Sequence, residues 1–414
     1  MKVLCIFGKY TYGNPERGVS AEYAAFLPAL RRLSHTVVHF DSSDRTRYLG
    51  FGELNAAVLA TVHREQPDVV LTVQRDYELW VETLDAIRST FDCATVSWAT
   101  DDSWKYREVS RFIGRHYDAM ATTYEYRIDA YRKDGVEHPV LTQWATTSDG
   151  LVEPMRAGQC TRDVTFVGAR YGHRAKTIKE LERNGIRVEC FGHGWANGVV
   201  AAEDIPRIVR GSRISLNFSR AGTEKGGPNQ IKARTFDVPG AGGFLLTETA
   251  PGLDAYYAIG REIEVFTDSR EAIQKIRRYL AHPDQRDEIA WAGWKRTRAE
   301  HTYERRLSAV LDAAMEARRG RRTRSGPPAR GGAPPAGFSA LDVEPFRKAL
   351  ERYNRTPAAL YFVRNLLIRA CSLIWGRVRG RRAARRIVFE LSWRLLGEPT
   401  FSAASLPGRL FPEQ

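Results

Sequence analysis

Between Asn229 and Glu248 the chain reads Asn-Gln-Ile-Lys-Ala-Arg-Thr-Phe-Asp-Val-Pro-Gly-Ala-Gly-Gly-Phe-Leu-Leu-Thr-Glu, a run whose side chains suit an anionic ligand. Lys232 and Arg234 place two cations, and Asp237 a carboxylate, on a short helical stretch over Gln230–Asp237 that stops at Pro239. Gly242 and Gly243 follow in a turn before a buried strand, and Lys-Gly-Gly-Pro at 225–228 precedes the helix as a loop open to close backbone approach. A helix N-terminus, nearby cations and bare glycine backbone together attract a diphosphate. A carboxylate a turn or two further along accepts hydrogen bonds from sugar hydroxyls. These are the groups a nucleotide-sugar needs.

Three further clusters have types and spacing that serve chemistry. Gly168 ends an apolar run, and Arg170 and Arg174 follow where a helical pattern opens. A glycine there permits close approach and an arginine grips phosphate through two parallel donors; an ordinary tight turn with exposed arginines has the same composition. Gly192-His193-Gly194 follows the next apolar run in the same way, suited to flank a base, with a simply solvated His193 as the plainer reading. Asp101-Asp102 stands just past another run. Adjacent carboxylates there bind acceptor hydroxyls or supply a base, with like charges side by side raising one pKa; alternatively they cap the helix that starts near Trp104. Asp101-Asp102 is not an Asp-x-Asp motif, and no metal site is expected.

The elements that must position these residues alternate between strand and helix. Apolar runs at Lys2–Phe7, Thr36–Phe40, Asp68–Val73, Ala94–Trp98, Ala119–Thr122 and Val140–Thr142 are separated by amphipathic segments such as Ser20–Leu33, Leu54–Glu65 and Leu79–Thr90. The pattern restarts near Asp163, with strands at Val164–Val167, Val188–Phe191, Ile214–Phe218, Phe244–Thr247 and Ile263–Phe266. Such alternation predicts parallel, doubly wound sheets, which take ligands at the carboxyl ends of their strands. The expected class is α/β: a Rossmann-like domain over residues 1–150 and a second over 151–318, facing each other across a cleft in the GT-B manner, hinged at Thr146–Arg162.

Charge locates a third region. The net charge is +14, yet 18 basic and 6 acidic residues stand from Arg321 onward, so +12 belongs to the tail and the globular part is nearly neutral. Residues 319–340 are cationic and rich in Pro and Gly, the composition of a disordered linker. Residues 341–414 return to helical patterning, with Phe362, Leu366, Leu373, Trp375, Phe389 and Trp393 among arginines. That basic amphipathic extension suits an anionic membrane surface, with Arg364 and Arg369 arguing for lying on a bilayer rather than crossing it. It equally suits docking on the core or on a protein partner. Nucleic acid ranks third, for want of a patterned binding fold. Five scattered cysteines without a Cys-x-x-Cys pair imply neither zinc nor a disulfide framework, and the N-terminus enters a strand without a signal-peptide core, so a cytoplasmic location, with peripheral membrane contact, is expected.

In order, Asp-Val-Thr-Phe-Val-Gly (163–168), Phe-Gly-His-Gly-Trp (191–195), Ser-Leu-Asn-Phe-Ser (215–219), the 231–248 stretch and His-Thr-Tyr-Glu-Arg-Arg (301–306) resemble the group-1 (GT4-like) glycosyltransferases, CgeB-like subgroup. The resemblance covers about 160–318 and, at the level of fold, the first 150 residues. It implies a metal-independent transferase without a cofactor, taking a nucleotide-diphosphate sugar as co-substrate and a carbohydrate, lipid-linked or small-molecule acceptor. It sets Gly168, Arg170 and Arg174 against the donor diphosphate, Lys232 and Arg234 on the leaving group, and Asp237 on the ribose hydroxyls. Group-1 enzymes carry two glutamates separated by seven residues; here Asp237 stands for the second and Asn229 for the first, which bears on the retaining outcome the family implies. A nucleotide-sugar epimerase of the same fold and a non-catalytic scaffold are the rival readings.

Overall fold

The computed structural model describes residues 1–44, 46–220, 229–325 and 338–412. The Lys225–Pro228 loop and most of the expected linker, 326–337, lie outside the described residues. The chain divides into two units, one made of Met1–Thr142 with Leu307–Gln414 and the other of Gln143–Arg306.

In the first unit, β1 (Lys2–Ile6), β2 (Thr36–Phe40), β3 (Val69–Thr72), β4 (Ala94–Ala99), β5 (Ala119–Thr122) and β6 (Pro139–Leu141) pair in parallel in the order β2-β1-β3-β4-β5-β6. The inner strands β3, β4 and β5 are buried throughout, as a sheet covered on both faces requires. The crossovers carry α1 (Ala21–Arg32), α2 (Phe51–Glu65), α3 (Val81–Thr90), α4 (Arg111–Ile113) and α5 (Ile128–Lys133). Ser20 caps α1 by accepting from the Tyr23 amide (3.2 Å) and donates to the Gly8 carbonyl (2.7 Å), so one hydroxyl fixes both the helix start and the loop leaving β1.

The second unit holds β7 (Arg162–Val167), β8 (Glu189–Phe191), β9 (Ser212–Asn217), β10 (Leu245–Glu248) and β11 (Glu264–Phe266), parallel in the order β11-β10-β9-β7-β8. Around them lie α6 (Arg174–Arg183), α7 (Ile205–Arg210), α8 (Arg234–Gly240), α9 (Ser269–Ala281) and α10 (Pro283–Glu300), and the chain leaves through α11 (Tyr303–Ser325). The order reverses at β7, which puts the ligand-binding switch point between the carboxyl ends of β7 and β9.

Two expectations change. The helix expected over Gln230–Asp237 begins at Arg234 instead and runs through Pro239 to Gly240. The residues ahead of it are held out of the helix, because Asn229 Nδ2 donates to the Thr249 carbonyl (2.8 Å) and the Gln230 amide to the Ser219 carbonyl (3.0 Å). The start of the expected linker is helical, since α11 continues to Ser325. Arg318 pairs there with Asp92, and Arg321 with the buried Asp118 (2.8 Å), so these cations have partners within the first unit.

The C-terminal region forms α12 (Glu344–Asn354), α13 (Ala358–Trp375), α14 (Arg377–Leu396) and α15 (Leu406–Leu410). It completes the first unit's core: Phe346, Ala349, Phe389, Trp393 and Phe401 pack with Phe51, Tyr77 and Trp80. Apolar burial of that extent explains why a region so rich in arginine is folded at all.

Candidate functional site in the second unit

At the carboxyl ends of β7 and β8 the two glycine loops are bonded together. The Gly168 amide donates to the Phe191 carbonyl (2.7 Å), the Arg170 amide to the His193 carbonyl (2.8 Å), and Trp195 Nε1 to the Gly168 carbonyl (2.8 Å). Gly192 has φ of +125° and a Cβ there would sit 2.6 Å from the Gly168 oxygen, so only glycine allows this approach. Arg170 is exposed with its guanidinium over the Trp195 ring (5.6 Å), and His193 and Gly194 are exposed beside it.

Arg174 sits differently from its expected phosphate grip. Its side chain is buried and turned back, donating to the Ala169 carbonyl (2.9 Å) and the Tyr171 hydroxyl (2.7 Å) while stacking on Tyr171 (3.8 Å). It closes the 168–174 loop from beneath. Gly242 and Gly243 are likewise interior: a Cβ on Gly242 would meet the Val152 carbonyl at 2.6 Å and one on Gly243 the Val209 side chain at 2.5 Å. Their amides donate to the Pro239 (3.0 Å) and Val238 (2.9 Å) carbonyls rather than facing a ligand.

The 229–237 segment supplies the exposed chemistry. Lys232 is half-buried, just ahead of α8. Arg234 is crowded enough for burial to pull its pKa down, and it is close enough to Arg174 for the two like charges to act on each other. Among the described residues no hydrogen bond or salt bridge engages the Arg234 guanidinium. Asp237, one turn along, is solvent-exposed, yet the protein packed around it pushes its carboxyl up to about 7, with Arg234 pulling the other way.

A pair that the sequence left without a role stands at the switch point. His173 Nε2 meets Glu248 Oε1 at 2.5 Å, and Glu248 Oε2 accepts from the Ser219 amide (2.9 Å) and, more weakly, the Arg220 amide (3.4 Å). Glu248 closes β10 and His173 immediately precedes α6. A polar residue at the carboxyl end of a predicted buried strand is the signal that identifies such a position.

The His-Thr-Tyr motif is architectural. His301 is buried against Phe236 and Tyr257; its Nε2 donates to the Tyr256 carbonyl (2.8 Å) and its Nδ1 accepts from Arg306 (3.1 Å). Burial first, and the Arg306 charge second, push its pKa down to about 4 from 6.5. The unfolded chain therefore binds the proton that the folded one refuses, so stability is full above pH 6.5 and falls as pH drops toward 4. Urea unfolding at pH 7.5 and pH 5 should show a loss of about 2 kcal/mol that His301→Gln removes from the pH profile. Equal pH slopes in the two proteins would refute the assignment.

In the first unit the Asp101-Asp102 pair is split. Asp102 is fully buried and accepts from Thr122 Oγ1 (2.7 Å) and the Tyr131 hydroxyl (2.6 Å), while Asp101 is exposed and its carbonyl accepts from the Trp104 and Lys105 amides (3.1 and 2.9 Å). The Asp102 pKa is raised by burial, opposed by those hydrogen bonds, and not by its neighbour's charge. The expected paired carboxylates thus face different surroundings because both lie in the turn past β4, where Thr122 and Tyr131 hold the Asp102 side chain inward while the Asp101 backbone closes the following turn. Among the described residues no group of three or more His, Cys, Asp or Glu side chains has metal-site geometry.

Residues 170–312 match the family described as glycosyl transferase-like. No curated protein sequence matches the chain. Among solved structures, sucrose-phosphate synthase from Thermosynechococcus elongatus superposes with a TM-score of 0.53 at 10% identity, over 78% of this chain and 100% of that one. The Anabaena protein HepE, solved with UDP and glucose, gives 0.52 at 12% identity over 77% and 100%; its complex with UDP-glucose gives 0.51 at 13% over the same shares. The chain therefore has the GT-B fold, two Rossmann-like units with parallel sheets, and its second unit carries the match to the glycosyl transferase-like family.

Proposed function

We propose that the protein is a group-1, CgeB-like glycosyltransferase that moves a sugar from a nucleotide-diphosphate donor, held by the second unit, to a hydroxyl acceptor. The observation that carries this is Arg234: a crowded guanidinium that no hydrogen bond or salt bridge engages among the described residues, near only the exposed Asp237 carboxylate one turn along, within the segment matched to the family. A diphosphate fits the open hydrogen-bonding fork of that guanidinium, and Asp237 accepts from hydroxyls of the same nucleotide. The neighbour solved with UDP-glucose supports this donor class. Fixed charge on Lys232 and Arg234 meets the developing charge of the leaving diphosphate, so the step needs no metal and no acid on that oxygen. Retention of anomeric configuration follows the group-1 resemblance, and NMR of the first-formed product decides it.

Calorimetric titration with UDP, GDP, dTDP and ADP tests the reading. One of them should bind, and Arg234→Ala should weaken it at least tenfold; no binding by any nucleotide would overturn the proposal. The Asp237 carboxylate must be ionised to accept hydroxyl protons, so affinity should rise as pH passes upward through about 7 and be flatter in Asp237→Asn. An unchanged pH profile in that variant would remove Asp237 from the site.

A further inference from the structure

The first unit has a switch point of its own, between β1 and β3, where strand order reverses. A cavity of about 870 Å³ opens there, lined on one side by the loops that follow β1, β2 and β3 and on the other by α14 and Phe411. Seven arginines line it against two carboxylates, Asp76 and Glu78. Both carboxylates are already engaged: Asp76 by Lys105 (2.7 Å), Glu78 by the Arg75 and Asp76 amides (2.7 Å each). Among the described residues no carboxylate lies within 4.0 Å of the guanidinium of Arg17, Arg75, Arg377 or Arg382.

The charge is also set against the helix that carries it. Arginines occupy positions 377, 379, 381, 382, 385 and 386, and α14 has no acidic residue in its first turn. Cations at a helix N-terminus oppose the macrodipole and repel one another along i, i+4 rows. An anion in the cavity offsets both penalties.

An apolar surface adjoins the cavity. Leu373 is 89% exposed, Ile374 69%, Trp375 47% and Val378 73%, and they form the turn that joins α13 to the arginine-bearing start of α14. Val378 and Arg377 themselves line the cavity. The other face of α13 packs through Leu360, Leu367 and Cys371 on Ala384 and Val388 of α14, and α14 is held to the sheet by Phe389, Trp393 and the Arg386–Glu108 pair (2.5 Å). By length and composition α13 is a candidate span, with mean hydropathy 1.3 over 18 residues. Arg364, Arg369 and the face committed to α14 argue against a span and leave the opposite face suited to a surface.

We propose that the first unit binds an anionic lipid at a membrane surface, the arginine cavity taking the headgroup phosphate and the Leu373–Val378 turn entering the acyl boundary. Phosphate is the anion that arginine forks match, and the apolar turn selects the lipid over a soluble phosphate. This inference stands independently of the transfer reaction.

Co-sedimentation of the full chain with phosphatidylcholine vesicles, with and without phosphatidylglycerol, tests it. Binding is expected only to the anionic vesicles. Arg377→Ala/Arg382→Ala should reduce it about thirtyfold, since each basic residue near an anionic leaflet is worth about fivefold. Leu373→Ser/Ile374→Ser should reduce it at least tenfold. All four side chains are exposed, so melting temperature should hold and confirm that the variants fold. Equal sedimentation with both vesicle types would overturn the proposal. So would stabilisation by inorganic pyrophosphate without vesicle binding, which assigns the cavity to a soluble phosphate. A dimer dispersed by the Leu373/Ile374 substitutions, again without vesicle binding, would assign the apolar turn to a second copy.

Discussion

Lys232→Ala is expected to slow sugar transfer by about two to three orders of magnitude at saturating donor, the usual loss when one preorganised charge-stabilising group is removed. Negative charge on the diphosphate grows as the bond to the anomeric carbon breaks. A cation fixed ahead of α8 therefore gains more in the transition state than in the donor complex. The loss should fall mainly on kcat, with a smaller change in donor affinity, and Lys232→Arg should recover much of the rate because charge rather than fork geometry is what counts. Steady-state kinetics with calorimetric donor affinities decide the matter. If Lys232→Ala lowers affinity and leaves kcat intact, Lys232 is a binding residue only and Arg234 alone faces the leaving group.

Arg286→Ala should have the largest effect on stability. Arg286 is fully buried in α10 and donates to three backbone carbonyls, Arg213 (2.7 Å), Met155 (2.9 Å) and Ser212 (3.1 Å), while pairing with Asp287 (3.0 Å). It thereby ties α10 to the amino end of β9 and to the segment before β7. Removing it leaves those carbonyls and the Asp287 charge without their partner, at a cost of about 3–5 kcal/mol. For a unit of this size that is a fall of roughly 10 °C in melting temperature. Arg286→Lys should recover little, since one ammonium cannot reproduce the planar spread of donors. A shift of only a degree or two for the alanine variant would mean that water replaces the guanidinium and the network is incidental.

Much of the architecture is legible in the linear order of residues. Apolar runs such as Val69–Thr72 and Ala94–Ala99 mark buried parallel strands because burial on both faces demands a continuous apolar stretch. The glycine at 192 marks a close approach to the loop at 168, because its φ of +125° and the Gly168 carbonyl leave no room for a Cβ. Helix boundaries were harder to read. The start of α8 depends on Asn229 and Gln230 bonding to residues 249 and 219, partners that local propensity does not represent. The linker composition at 319–325 likewise failed to anticipate the anchoring of Arg321 on Asp118, more than two hundred positions away.

Two alternating α/β halves, strand-end glycine loops, a cation-and-carboxylate segment at 232–237 and a basic helical tail all follow from residue type and periodicity along one stretch of chain. Which of these groups face solvent and which face each other is settled by packing across the whole fold. It buried Asp102 and exposed Asp101, turned Arg174 inward, paired His173 with Glu248, and set the arginines of α14 against the loops after β1 and β3. The reason is that a side chain's charge and shape are local properties, whereas its partner is set by which elements pack together, and that choice belongs to the whole core.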